Sequence, residues 1–144
     1  MEIAKFDNEM RLQFLNKSEN ESFARATVAA FVSQIDPTVT VITEIKTAVS
    51  EAVTNAVIYA YEDKEDFIYV RCGIKDNEVH ITVEDKGVGI ENIEKAIEPA
   101  YTSKPELERA GMGFTIMQSF MDEIMIESKV GAGTIVKMIK KIEE

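Results

Sequence analysis

The segment from about Val41 to Tyr59 constrains this chain more than any other. At about 100° per residue, Ile45, Val49, Ala52, Val53 and Ala56 gather on one side of a helix, and such a stripe needs a partner to bury it. Glu51 and Asn55 project well away from the centre of that stripe. Standing four residues apart, they share one helix face, so a carboxylate and an amide can converge on one point. A solvated helix face is the plain alternative for this segment by itself. Two glycine motifs further along the chain argue against it: Asp85-x-Gly87-x-Gly89, and then Gly111-x-Gly113.

The rest of the chain supplies the partner layer. Met10, Leu12 and Phe14 alternate as in a half-buried strand, and Ser18 with Glu21 has the spacing of a capping box. The helix it opens carries Phe23, Ala26, Ala30 and Phe31 and stops near Asp36-Pro37, because proline disfavours helix in the residue before it. Two strands, Phe67 to Ile74 and Val79 to Glu84, are joined around Asp76-Asn77, and Val79, Ile81 and Val83 alternate toward one face. A short helix is expected over Asn92 to Ile97, ended by Pro99, with a polar stretch from Ala100 to Ala110. Gly111 and Gly113 lead into a helix from Phe114 to Phe120, and strands come next near Glu123 to Ser128 and Thr134 to Ile142. This order predicts an α+β fold: a two-layer α/β sandwich with helices on one face of a mixed, mostly antiparallel sheet. No repeat or linker breaks the chain, so residues 1–144 are expected to form a single domain.

A net charge of -10 and the lack of a basic stripe argue against direct nucleic-acid binding. The single Cys72 excludes an internal disulfide and suits a reducing compartment. No run approaches the roughly 18 apolar residues of a membrane helix, and the N-terminus has no signal-peptide core, so a cytoplasmic location is expected.

The chemistry-bearing residues point to a magnesium–nucleotide pocket. Asn55 offers an amide oxygen, the donor type Mg²⁺ requires beside phosphate. Glu51, one turn earlier, is placed to orient or deprotonate a nucleophile attacking a γ-phosphorus. Asp85 closes a strand and, when ionised, only accepts hydrogen bonds, which suits the exocyclic amino group of adenine. Gly87 and Gly89 allow a tight turn there, and Gly89 would let backbone approach the ring. Thr134, after Gly131-Ala132-Gly133, would bring a hydroxyl to the same base edge. Gly111-Met112-Gly113, immediately before a helix, would offer free N–H groups to phosphate, without the Gly-Lys-Ser/Thr ending of a P-loop. The stretch Thr102-Ser103-Lys104 through Arg109 has the polarity of a mobile lid, with Lys104 and Arg109 placed to pair with phosphate oxygens. His80 and Cys72 look like ordinary strand residues, and Met112, Met117, Met121 and Met125 like adaptable packing.

SEAVTNAVIYAY, VEDKGVGI, GMGF and GAGT together resemble, in order, the four nucleotide-binding motifs of the ATP-binding fold shared by gyrase-type topoisomerases, Hsp90 chaperones, sensor histidine kinases and MutL proteins. This is the histidine-kinase-like, or Bergerat, fold. NEMRLQF, SENESFARATVAAFV, ITEIKTAVSEAVTNA and TSKPELERAGMGFTIM are closer still to one branch, the sporulation anti-sigma F factors of endospore-forming bacteria. The resemblance implies that Asn55 chelates Mg²⁺, that Glu51 is the catalytic base of a serine kinase, and that Asp85 reads adenine. It implies an ATP lid over Ala100 to Gly113 and Arg25 as a partner-facing residue. It also implies a homodimer that, with ATP, holds the sporulation sigma F factor inactive, phosphorylates a serine of an anti-anti-sigma factor, and binds the unmodified form of that factor in its ADP state. An anti-sigma factor for another sigma factor, or an ATP hydrolase, is the alternative.

Overall fold

The computed structural model describes residues 5–91, 93 and 105–142, the last stretch with side chains from Met112 onward. Five strands form one sheet: β1 (Asn8–Leu15), β2 (Phe67–Lys75), β3 (Glu78–Asp85), β4 (Glu123–Lys129) and β5 (Gly133–Lys141). Their order is β1-β2-β3-β5-β4, and all four pairings are antiparallel. The helices are α1 (Asn20–Val32), α2 (Val39–Tyr59) and α3 (Pro105–Phe120), with a 3-10 turn at Ser33–Ile35.

The α2 stripe is the centre of the core. Ile45, Val49 and Val53 are fully buried, and Ala48, Ala52 and Ala56 join them. Against it stand Ile68, Val70 and Cys72 of β2, Val79, Ile81 and Val83 of β3, and Val136 and Met138 of β5. Apart from the buried Gly73 beside Cys72, these residues alternate with exposed or half-buried neighbours along their strands, as a sheet covered on one face requires. Thr38 caps α2, its hydroxyl accepting the Val41 N–H at 3.2 Å. Asp76 and Asn77, both with positive φ (50° and 61°), make the two-residue β2–β3 hairpin, a conformation that Asp and Asn tolerate well.

Three expectations are corrected. The capping box at Ser18 and Glu21 does not form: α1 begins at Asn20, no side chain caps it, and Glu21 N–H bonds to the Ser18 carbonyl instead. The buried stripe of α1 is Ala24, Val28 and Val32, leaving Phe23 52% exposed and Ala26 and Ala30 at the surface. The small Ala24 lets α1 lie close to its neighbours, whereas Phe23 would hold it off. Finally, α3 begins at Pro105 and not at Phe114. Proline is well suited to the first helical position, and Glu-Leu-Glu-Arg-Ala after it are good helix formers. The helix expected over Asn92 to Ile97 lies outside the described residues except for the helical Ile93.

Candidate functional site

Glu51 and Asn55 meet α3 at one point. A Cβ placed on Gly113 would come 3.0 Å from Glu51 Oε2 and 3.1 Å from Asn55 Nδ2. Glycine at 113 is therefore what lets α3 lie directly across the pair. Asn55 Nδ2 is buried with no hydrogen-bond partner among the described residues. Such an orphaned amide costs about 1–3 kcal/mol. It fits a site whose proper occupant is polar, and Asn55 Oδ1 is the oxygen a hard cation would take. Burial pushes the Glu51 carboxyl above its usual range, and the nearby Glu21 carboxylate of α1 adds to the rise. Glu51 is thus a carboxylate with enhanced basicity on the face where Asn55 stands.

Gly111, Met112 and Gly113 lie inside α3, not ahead of it. Their N–H groups belong to the helix interior, so the backbone cradle expected there is not present in this arrangement. The free N–H groups and the positive end of the dipole belong to the turn opening at Pro105. Met112 is 58% exposed. Thr102, Ser103 and Lys104 fall outside the described residues, as does the side chain of Arg109.

The second half of the site closes the far end of α2. Asp85 ends β3 and is the buried charged residue among the described residues, 7% exposed. Its Oδ1 accepts the Gly87 N–H at 2.9 Å, and the Thr134 N–H also donates to the carboxylate. Burial raises the Asp85 pKa; the two N–H groups oppose the rise by favouring the ionised form, and Glu84 adds to it. Thr134 of β5 stands opposite Asp85 in the strand register, and its hydroxyl lies 2.8 Å from Ser128 Oγ.

Each glycine of the Asp85 turn has a packing reason. A Cβ on Gly87 would come 1.9 Å from the Ala60 carbonyl oxygen. Gly89, at φ 79°, lies against the Lys129 carbonyl, 2.3 Å from where its Cβ would be. The close approach expected of Gly89 toward a ligand is here an approach to the β4–β5 turn. Val88 ties the pieces together, its N–H bonding the Ala60 carbonyl at 2.8 Å and its carbonyl accepting Gly131 N–H at 2.9 Å. Tyr61, 4% exposed, adds a clamp: its hydroxyl donates to the Phe67 carbonyl at 2.6 Å and accepts the Lys86 N–H at 2.8 Å.

Tyr61, Ser128 and Glu21 were not picked out by sequence reasoning as site residues. A tyrosine just past the end of the motif helix was the available signal for Tyr61; Ser128 and Glu21 gave none, because what ties them to the site, the Ile90 N–H and the Glu51 carboxyl, is distant in sequence. Arg25 sits on α1, half-exposed, with Nε 3.4 Å from Glu21 Oε2. It is remote in sequence from the nucleotide motifs, yet its ion-pair partner is the carboxylate felt by Glu51.

Comparison with known proteins gives the family of the chain. Residues 14–140 match the model of the histidine kinase-like ATPase domain. The chain is 58% identical to an anti-sigma F factor of Clostridium perfringens, covering 94% of this chain and 98% of that one. It is 60% identical to an anti-sigma F factor of Geobacillus thermodenitrificans, covering 94% and 93%. Among solved structures, the RsbU and RsbW domains of a Mycobacterium tuberculosis protein superpose with a TM-score of 0.70 at 18% identity, over 95% of this chain and 33% of that one. A blue-light activated histidine kinase of Erythrobacter litoralis gives 0.58 at 23% identity, over 81% and 40%. The structural likenesses speak for the fold.

Proposed function

The chain belongs to the anti-sigma F factors, within the histidine kinase-like ATPase domain family, and from that premise we propose that it is an ATP-dependent serine kinase that also sequesters its sigma factor. The observation that carries this reading is the meeting of Glu51, Asn55 and Gly113 at the α2–α3 interface. Asp85 ends β3 and Thr134 lies opposite it at the start of β5, beside the turn that Val88 ties to the end of α2.

In this reading Asp85 and Thr134 hold adenine. Asn55 Oδ1 would hold Mg²⁺, which supplies charge neutralisation at the phosphate oxygens; this ion keeps most of its ligands from water and phosphate, so one protein oxygen suffices. Glu51 accepts the proton of a partner's seryl hydroxyl as that oxygen bonds to the γ-phosphorus. The bond from γ-phosphorus to its bridging oxygen breaks, and ADP leaves. Burial supports this role, since a desolvated carboxylate binds a proton more tightly than one in water.

The protein partners we propose are the sporulation sigma F factor, held in the ATP state, and an anti-anti-sigma factor, phosphorylated on serine and bound in the ADP state. A homodimer in the cytoplasm, with Arg25 on the docking face, completes the proposal. Among the described residues no helix is long and apolar enough to cross a membrane.

Incubation with γ-labelled ATP, Mg²⁺ and the anti-anti-sigma factor is expected to label one serine on that factor. ATP binding without transfer would remove the kinase assignment. Phosphate release without a protein acceptor would favour a hydrolase, and preferential capture of a different sigma factor would reassign the partner.

A further inference from the structure

Ser128 sits under the base end of the site and has three neighbours within hydrogen-bond distance. The Ile90 N–H lies 2.7 Å from its Oγ, the Gly133 carbonyl oxygen 3.0 Å, and Thr134 Oγ1 2.8 Å. A serine hydroxyl has one hydrogen and two lone pairs. The Ile90 N–H can only donate, and the Gly133 carbonyl can only accept. The hydrogen of Ser128 therefore goes to Gly133, one lone pair receives Ile90, and the other faces Thr134. All three contacts are hydrogen bonds only when Thr134 is the donor.

Thr134 thus gives its only hydroxyl hydrogen to Ser128 and presents lone pairs elsewhere. It stands opposite Asp85, whose Oδ1 already holds the Gly87 N–H and whose ionised form only accepts. We propose that Ser128 is a positioning residue that sets base specificity: by fixing the direction of the Thr134 hydroxyl, it makes the Asp85–Thr134 edge an all-acceptor surface. Such a surface takes a purine whose edge leads with an amino group and refuses one that leads with a carbonyl oxygen. This rests on reading Asp85 and Thr134 as the base site. Its content is that discrimination between ATP and GTP depends on a serine that need not touch either nucleotide.

The test is calorimetric titration of the full chain with ATP and with GTP. Ser128→Ala frees the Thr134 hydrogen to turn toward a carbonyl, so the ATP-to-GTP affinity ratio is expected to fall about tenfold, in the range of one misplaced hydrogen bond. Ser128→Thr keeps a hydroxyl in place and is expected to restore the parental ratio. If the alanine protein does not fold, Ser128→Cys, a much weaker partner for all three groups, takes its place. A ratio unchanged in Ser128→Ala, even with both affinities reduced, overturns the proposal, because a purely structural role moves both nucleotides together. A separate arm titrates the parent with ATP dimethylated on the exocyclic nitrogen. Weaker binding of this analogue is expected. Equal binding would show that no amino hydrogen is read, and would sink the base-site reading along with the role of Ser128.

Discussion

Gly113 lies against Asn55 and Glu51 so closely that a single methyl group at its Cα would reach 3.1 Å from the Asn55 amide nitrogen and 3.0 Å from the Glu51 carboxylate. The contact sets two effects of Gly113→Ala against each other. Alanine in a helix interior is favoured over glycine by about 1 kcal/mol. The methyl group must displace the ends of two side chains, which can rotate at small cost. Thermal unfolding is therefore expected to show a melting point no lower than the parent's, while phosphoryl transfer falls because Glu51 and Asn55 have moved. A variant that transfers phosphate at the parental rate would show that α3 does not need this contact in the working state.

Much of this was legible in the sequence. The α2 stripe from Ile45 to Ala56 proved buried as the helical period required, because local periodicity and burial coincide there. The alternation of Val79, Ile81 and Val83 toward the core likewise held, with Asp85 next in step at the strand end, whereas its pairing opposite Thr134 is a register that alternation does not give. The start of α3 was not legible, since Pro105 can open a helix as readily as a loop, and a lid-like polar stretch hid good helix formers. Phe23 misled for a different reason: a large apolar residue marks a core by average preference, but close helix packing put Ala24 inside. The Lys86 bond to Tyr61 and the Ile90 bond to Ser128 depend on tertiary contacts that no spacing encodes.

Glu51→Gln separates stability from function. The Glu51 carboxyl has its pKa raised above the ordinary 4.5, first by burial and then by Glu21. The folded state therefore holds this proton more tightly than the unfolded chain. Its stabilising effect is fully present below pH 4.5 and is lost as pH rises through the folded-state value. Above that window the charged carboxylate is a cost that glutamine does not carry. Denaturant titrations across pH are expected to show Glu51→Gln gaining stability over the parent toward neutral pH, with the gain shrinking on acidification. Phosphoryl transfer should fall by about 10²–10⁴ if Glu51 is the general base. A difference independent of pH would mean that Glu51 does not titrate as its burial dictates.

Tyr61→Phe tests the clamp that holds the Asp85 turn. The hydroxyl joins the Phe67 carbonyl to the Lys86 N–H, and its ring is buried in the core. Phenylalanine keeps the packing and leaves two backbone groups without their partner, a loss of about 1–3 kcal/mol. ATP affinity is expected to weaken with it, since Lys86 directly follows Asp85. Chemical denaturation and nucleotide titration of the same preparation measure both. Lower stability with unchanged ATP affinity would show that the Asp85 turn is held by Gly87 and Val88 without help from Tyr61.

Arg25→Glu acts on two surfaces at once. The guanidinium lies 3.4 Å from Glu21 Oε2, an oxygen buried with no hydrogen-bond partner among the described residues. Reversal removes this attraction and places a new carboxylate one turn from Glu21, which already acts on Glu51. Like charges at i, i+4 on a helix are unfavourable by about 0.2–0.5 kcal/mol, so folding should survive. At a docking surface the loss is larger, because attraction is lost and repulsion gained. Sigma-factor affinity is expected to collapse while ATP affinity stays near the parental value, as Arg25 pairs with Glu21 and not with Asn55, Asp85 or Thr134. Arg25→Gln, which removes charge without reversing it, should fall between the two. Parallel calorimetry with ATP and with the sigma factor reads both effects. Retained sigma affinity in Arg25→Glu would move the docking surface off α1. An equal fall in ATP affinity would show instead that the charge at 25 reaches the nucleotide site through Glu21.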